Sequence, residues 1–166
     1  MELRFEIQTR IQKEISEVFD AVYNAEKLSG YFTNGGAKGN LDEGRTVEWA
    51  FADTPGEEMR FPVDVETSIR NERIVIRWPG TQAELNRVEI GFQPVGENET
   101  LVKISESGWK ATDDDLKQSY GNCMGWSQML FALKAYVEYG INLRKGAYKG
   151  LYSAGDHANK ADTTAI

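Results

Sequence analysis

The chain has 166 residues, 40% of them hydrophobic, with 26 acidic against 19 basic side chains and a net charge of -7. That is the size and composition of one globular domain, and its acidic surface excludes nucleic acid and anionic lipid as default partners. One Cys and one His leave no internal disulfide and no zinc cluster.

Residues 3 to 11 alternate Leu3, Phe5, Ile7, Thr9 and Ile11 with Arg4, Glu6, Gln8 and Arg10, the period of a strand with one wet face. Ser16 is a candidate N-cap for a short amphipathic helix in which Val18 and Val22, and Phe19 and Tyr23, repeat at i, i+4. A second short helix is expected over Ala25 to Leu28, delivering Tyr31 and Phe32, and residues 34 to 40 are glycine-rich and expected as a loop.

Period two returns from Thr46. Val47, Trp49 and Phe51 form one row, and Met59, Phe61, Val63, Val65, Thr67 and Ile69 form the next. Ile74, Ile76 and Trp78 follow, closed by Pro79-Gly80, then Val88, Ile90 and Phe92, and then Val102 and Ile104. Connections this short favour antiparallel neighbours, so the pattern predicts a six-stranded meander with two helices inserted after the first strand.

Thr112-Asp113-Asp114-Asp115 has the form of a capping box ahead of a long apolar-periodic run. The helix is expected to reach about Ile141, with Trp126, Leu130, Leu133, Val137 and Ile141 on one side and Met124, Phe131 and Ala135 as a second buried line. Beyond Lys145 the composition thins, which divides the chain into a domain over 1–145 and a flexible tail over 146–166.

Val18-Phe19-Asp20-Ala21, Glu26-Lys27-Leu28, Tyr31-Phe32, Gly35-Gly36 and Glu43-Gly44 resemble the opening of a known family. The closing Gly125-Trp126-x-x-x-Leu130-x-x-Leu133-Lys134-x-Tyr136-Val137-Glu138 resembles the C-terminal helix of the same family. This is the family of homologues of the activator of heat-shock protein 90 ATPase, a branch of the START-like, helix-grip superfamily. The resemblance spans residue 3 to about 142. It departs mildly at Ala25, where the family carries Pro, and at Tyr31, where it carries Trp. It implies an α+β helix-grip fold, a curved antiparallel sheet of order 1-6-5-4-3-2 around the long helix, and a cavity between them.

Few residues here suit catalysis. Gly35-Gly36-Ala37-Lys38-Gly39 lacks the order of a phosphate loop. Cys123 is expected as a small buried thiol, and with His157 in the tail neither a Cys-His pair nor a Ser-His-Asp triad can form. The rings of Trp49, Phe51, Phe61, Trp78, Phe92 and Trp126 all take inward phases, which suits either a packed core or an aromatic-lined void. Glu106 continues the phase of Val102 and Ile104. An unbroken strand points its carboxylate at the long helix, toward Tyr120, Lys134 or the Trp126 Nε1–H, whereas a bulge near Gly108 turns it outward.

The function expected is therefore non-catalytic. A cytoplasmic monomer binds a small hydrophobic molecule, such as a lipid, a polyketide or a flavonoid-like aromatic, without cofactor, metal, nucleic acid or membrane insertion. The expected cavity residues are Phe32, Trp49, Phe51, Phe61, Val63, Trp78, Phe92, Glu106, Tyr120, Trp126 and Leu130. The alternatives are a chaperone-associated interaction module with a chaperone as partner and a place in stress response, and a cyclase- or hydrolase-type enzyme.

Overall fold

The structure, a computed structural model, describes residues 2–79 and 85–151. Gly80, expected to close a strand, and His157 lie outside the described residues. Strand β1 (Leu3–Ile11) leads into helices α1 (Ile15–Tyr23) and α2 (Ala25–Ser29), and a short strand β2 (Gly36–Lys38) follows. The meander is β3 (Thr46–Thr54), β4 (Glu57–Ile69), β5 (Arg73–Pro79), β6 (Leu85–Gly96) and β7 (Glu99–Trp109), and α3 (Asp113–Tyr139) ends the regular structure.

All strands form one antiparallel sheet of seven strands in the order β1-β7-β6-β5-β4-β3-β2. Apart from β2, this is the expected helix-grip order. The expected six strands become seven because part of the glycine-rich 34–40 stretch is extended and pairs with the edge of β3, Ala37 lying opposite Trp49. Glycine-rich composition signals conformational freedom, and freedom permits edge pairing as well as a loop.

The caps differ in kind. Ser16 is not the N-cap of α1; Glu14 is, without a side-chain cap bond, and the Ser16 hydroxyl donates to its carboxylate instead. At α2 the Asn24 carboxamide accepts from the N–H groups of Glu26 and Lys27. At α3 the Thr112 hydroxyl accepts from Asp115 N–H at 3.2 Å, as the capping box predicts. Asp115 does not bond back to Thr112 in that box but accepts from Lys110 N–H. Gly140, in the left-handed region at φ 67°, then stops the helix.

The concave face of the sheet and the inner face of α3 share one core, which includes Ile11, Val63, Ile74, Ile76, Val88, Ile90, Val102, Ile104, Leu130 and Leu133. Two expected faces are corrected. Met124 and Phe131 of the second apolar line of α3 are 47% and 61% exposed and face outward, with Ala135 half-buried. Ile141, expected on the first line, lies past the end of the helix at Tyr139 and is 49% exposed. Met59 and Ile69 also stand out at 50% and 37%. β4 runs beyond the core at its start, and a bulge between Val65 and Thr67 breaks its alternation before Ile69. Cys123 is half-buried rather than sealed in the core.

After Gly140 the chain does not leave the domain at once. Residues 143–151 turn back along α3, bringing Leu143, Arg144, Ala147, Tyr148 and Leu151 to one side of it. The expected boundary between domain and tail, 145/146, falls inside this turn, and residues 152–166 of the expected tail lie outside the described residues.

Candidate functional site

Glu106 sits near the end of β7, 1% exposed, with its side chain on the concave face. The expected bulge exists but comes after it. The register with β1 shifts between Ser107 and Trp109, and Gly108 takes φ 113°, where a side chain would be strained. A Cβ there would also stand 3.2 Å from the Cα of Asn86 on β6. The bulge thus re-aims Trp109, whose ring lies 5.5 Å from that of Phe5, and leaves Glu106 pointing inward.

Four side-chain N–H groups converge on that carboxylate. Oε1 accepts from Trp78 Nε1 at 2.8 Å, from Asn86 Nδ2 at 2.9 Å and from Asn122 Nδ2 at 2.9 Å, while Oε2 accepts from Trp126 Nε1 at 2.8 Å. Burial pushes the carboxyl above the ordinary carboxylate range, and the hydrogen bonds from Asn86, Trp78, Asn122 and Trp126 pull against it. None of these donors carries a charge, so the site holds an acidic group by hydrogen bonding alone. Of the three expected partners only Trp126 is found. Tyr120 is 65% exposed, and Lys134 donates to Arg10 O and pairs with Glu138. Spacing explains the difference: Asn122 is one turn before Trp126 and shares its face, whereas Tyr120 points away from it.

The expected rings form a continuous network above this carboxylate. Trp126 lies 5.1 Å from Trp78 and 5.4 Å from Phe32; Phe32 lies 5.5 Å from Trp49 and 5.2 Å from Phe51. Phe51, Phe61 and Trp78 continue the chain at 5.7 and 5.8 Å, and Trp49 meets Trp78 at 6.3 Å. Several of these contacts are edge-to-face, the arrangement the ring quadrupoles favour. Val63 and Leu130 are buried in the same core, while Phe92 packs elsewhere, against Phe19 under α1 at 5.2 Å. Trp49 and Trp126 are sealed, whereas Phe61 and Trp78 are half-buried and give the network an edge toward solvent. The Trp49 Nε1–H is buried and finds no acceptor among the described residues.

Beside this network, between α3 and the 143–151 turn, lies a cleft of about 400 Å³. Phe32 belongs to its wall and to the ring network at once. Opposite stand Leu143, Ala147 and Leu151, with Phe131 contributed by α3. Arg144, also in the wall, donates through Nη2 to Asp53 Oδ2 at 2.6 Å and lies 4.7 Å from the ring centres of both Phe51 and Tyr148. Sequence reasoning gives Arg144 and Tyr148 no role and Asp53 only a place in the Asp53-Thr54-Pro55-Gly56 turn. Arg144 follows the helix stop, and nothing in its local pattern marks which way the chain turns.

A curved antiparallel sheet closed by a long C-terminal helix defines a START-like, helix-grip domain. The sequence pattern of the family described as "Activator of Hsp90 ATPase homolog 1-like protein" matches residues 13–138, and the chain belongs to that family. No curated protein sequence matches it. Solved structures share its fold at low identity. Protein SSP2350 of Staphylococcus saprophyticus aligns with a TM-score of 0.70 and 22% identity over 85% of this chain and 96% of its own. The Aha1 dimer of Colwellia psychrerythraea gives 0.66 and 20%, over 83% and 98%. DynU16, from the dynemicin biosynthetic locus, gives 0.69 and 18% over 82% of this chain, which spans about half of DynU16, 48%.

Proposed function

We propose that this protein binds a small, largely apolar molecule and does no chemistry on it. The observation that carries this reading is the cleft of about 400 Å³, whose wall shares Phe32 with a ring network half open at Phe61 and Trp78. Apolar, aromatic-lined concavities of that size suit flat or chain-like ligands. Support for a binding role over a catalytic one comes from Glu106. Its oxygens are engaged by four N–H donors and it is 1% exposed, so it has little freedom to exchange protons with a substrate. A protein of similar fold belongs to a biosynthetic locus, which suits a small-molecule partner. Affinity on the order of micromolar is expected, because ring stacking with little directional bonding rarely supplies more than about 8 kcal/mol. Titration with a panel of lipids, flavonoids and aromatic polyketides should raise the melting temperature and change the emission of Trp78. Saturating additions that move neither would overturn the reading.

A second reading, a chaperone-associated interaction module, draws on a different observation. Tyr120, Met124 and Phe131 are 65%, 47% and 61% exposed on the outer face of α3. Stimulation of a chaperone ATPase that is lost in Met124→Ala, a residue outside the cleft wall, and retained after apolar ligand saturation would place this reading first.

A further inference from the structure

We propose that the cleft between α3 and the 143–151 turn binds a neutral, flat, ring-bearing molecule whose carbonyl oxygen accepts a hydrogen bond from Arg144 Nε–H. The inference rests on the apolar-ligand reading and adds to it a position and a chemistry.

Three features of Arg144 lead there. Its guanidinium is crowded by aromatic faces, with the ring centres of Phe51 and Tyr148 each 4.7 Å and that of Phe32 5.8 Å from Cζ. With those rings so placed, a ligand meets the group along its edge, by hydrogen bonding. On that edge Nη2 donates to Asp53 Oδ2 at 2.6 Å, while the other oxygen, Oδ1, accepts from Asn34 Nδ2 at 2.8 Å. Asp53 is thereby held to a single bond with Arg144 and does not close the two-pronged fork that a free carboxylate makes. The third feature follows. Nε–H is a buried donor with no acceptor among the described residues, on a side chain that lines a cleft of about 400 Å³. A desolvated donor without a partner is unfavourable, and an acceptor brought by a ligand removes that cost.

Charge selects the acceptor. Asp53 already balances Arg144, and the two side chains are only 17% and 14% exposed. A ligand carboxylate or phosphate at Nε would stand next to the Asp53 carboxylate in a poorly hydrated place, where like charges repel strongly. A ketone or quinone oxygen accepts the same hydrogen bond without that repulsion. Most of the rest of the wall is apolar, with Ser127 and Gln128 as its polar members: Phe32, Phe131, Leu143, Ala147 and Leu151 offer surface to a hydrocarbon frame. Tyr148 supplies the movable side. Its hydroxyl donates to Gln128 Oε1 at 2.7 Å at the surface and its ring centre lies 4.7 Å from Arg144 Cζ, so this ring must shift to admit a ligand to the buried Nε.

The test compares 9-fluorenone with fluorene, two frames of nearly the same shape of which only the first has a carbonyl. The full chain, labelled with nitrogen-15, is titrated with each, following the Arg144 Nε–H resonance and the tryptophan indole resonances, with calorimetry for affinity. Fluorenone should bind about five- to tenfold tighter, as one added hydrogen bond provides, and should move the Arg144 Nε–H signal. Ala147→Trp, which fills the cleft from an exposed position, should abolish binding of both. Arg144→Met should equalise the two affinities, and the wild-type Nε–H signal serves as the readout where that variant does not fold. Equal affinities with an unmoved Nε–H signal would overturn the carbonyl assignment and leave apolar binding standing. Binding that shifts the Trp78 and Trp126 indoles and survives Ala147→Trp would move the ligand into the ring network, overturning this site and not the function. Binding of neither compound would overturn the site as well, while the wider ligand panel judges the function separately.

Discussion

The indole N–H of Trp126, midway along α3, ends 2.8 Å from Oε2 of Glu106 on β7, and this hydrogen bond joins the gripping helix to the sheet it closes on. Trp78 on β5, Asn86 on β6 and Asn122 on α3 bind the other oxygen, so one carboxylate ties three strands to the helix. Neighbouring strands set the geometry. Trp78 faces Asn86 in the β5–β6 register, and Val88, two residues on, faces Glu106 in the β6–β7 register. Inward phases on three consecutive strands therefore meet at a single point.

Removing that acceptor leaves all four donors buried or half-buried without a partner. Glu106→Ala should destabilise the fold by about 3–5 kcal/mol, the scale of leaving several buried neutral donors without an acceptor. Asn122→Ala, which removes one donor and leaves the carboxylate the other three, should cost only about 1 kcal/mol. Urea unfolding of both variants checks the order. Equal small losses would mean that the carboxylate is not the tie.

The same site gives stability a pH dependence of definite sign. Burial raises the Glu106 carboxyl above its ordinary value of 4.5. The folded chain then keeps a proton that the unfolded chain has already released, so between 4.5 and the raised native value the folded state binds more protons. Stability from this group is complete below that window and falls as pH rises through it. Carboxylates held low, such as Glu48 and Glu66, act in the opposite direction, so a comparison with Glu106→Gln isolates the effect. Wild type should lose stability relative to Glu106→Gln as pH rises through the window. A constant difference in urea midpoint across it would show that Glu106 titrates as an ordinary carboxylate.

Part of this cage was legible in the sequence, and its gaps have physical causes. Alternation through Val102 and Ile104 allows an inward Glu106, with an outward turn at a bulge near Gly108 as the alternative, and helical spacing puts Trp126 on the gripping face. The same two periods reach Asn86, two residues before Val88, and Asn122, four before Trp126. Neither is among the expected partners, Tyr120, Lys134 and the Trp126 indole, because a carboxamide in a core signals little by itself. The β4 row, by contrast, departs from its pattern at both ends: Met59 lies where the strand runs beyond the core, and Ile69 follows a bulge that shifts phase with no residue type to announce it. Arg144 was illegible for a tertiary reason: its partners, Asp53 and Phe51, are about ninety residues away in the chain.

Helix α3 offers a direct comparison of two large rings on one element. Trp126 is 1% exposed and Phe131 is 61% exposed. Trp126→Ala empties a core site and removes a donor to Glu106, so a loss of about 3–5 kcal/mol is expected. Phe131→Ala should stay within about 0.5 kcal/mol. Denaturant melts that reversed this order would put the wrong face of the helix against the sheet.

The turn after α3 depends on one ion pair whose strength can be isolated. Arg144 and Asp53 are 14% and 17% exposed, so water screens them less than the surface pairs, and the 2.6 Å contact is reinforced by two ring faces. A surface pair contributes about 0–1 kcal/mol; here a double-mutant cycle through Arg144→Met, Asp53→Asn and the double variant should return a coupling of about 1–2 kcal/mol. Because the pair is shielded, that coupling should change little between low and moderate salt. Either single variant should also speed amide exchange across residues 141–151, where the turn is held to the domain through Arg144 and the Tyr148–Gln128 hydrogen bond. A coupling near zero, or exchange unchanged across the turn, would show that the apolar contacts of Leu143 and Leu151 hold it in place without the ion pair.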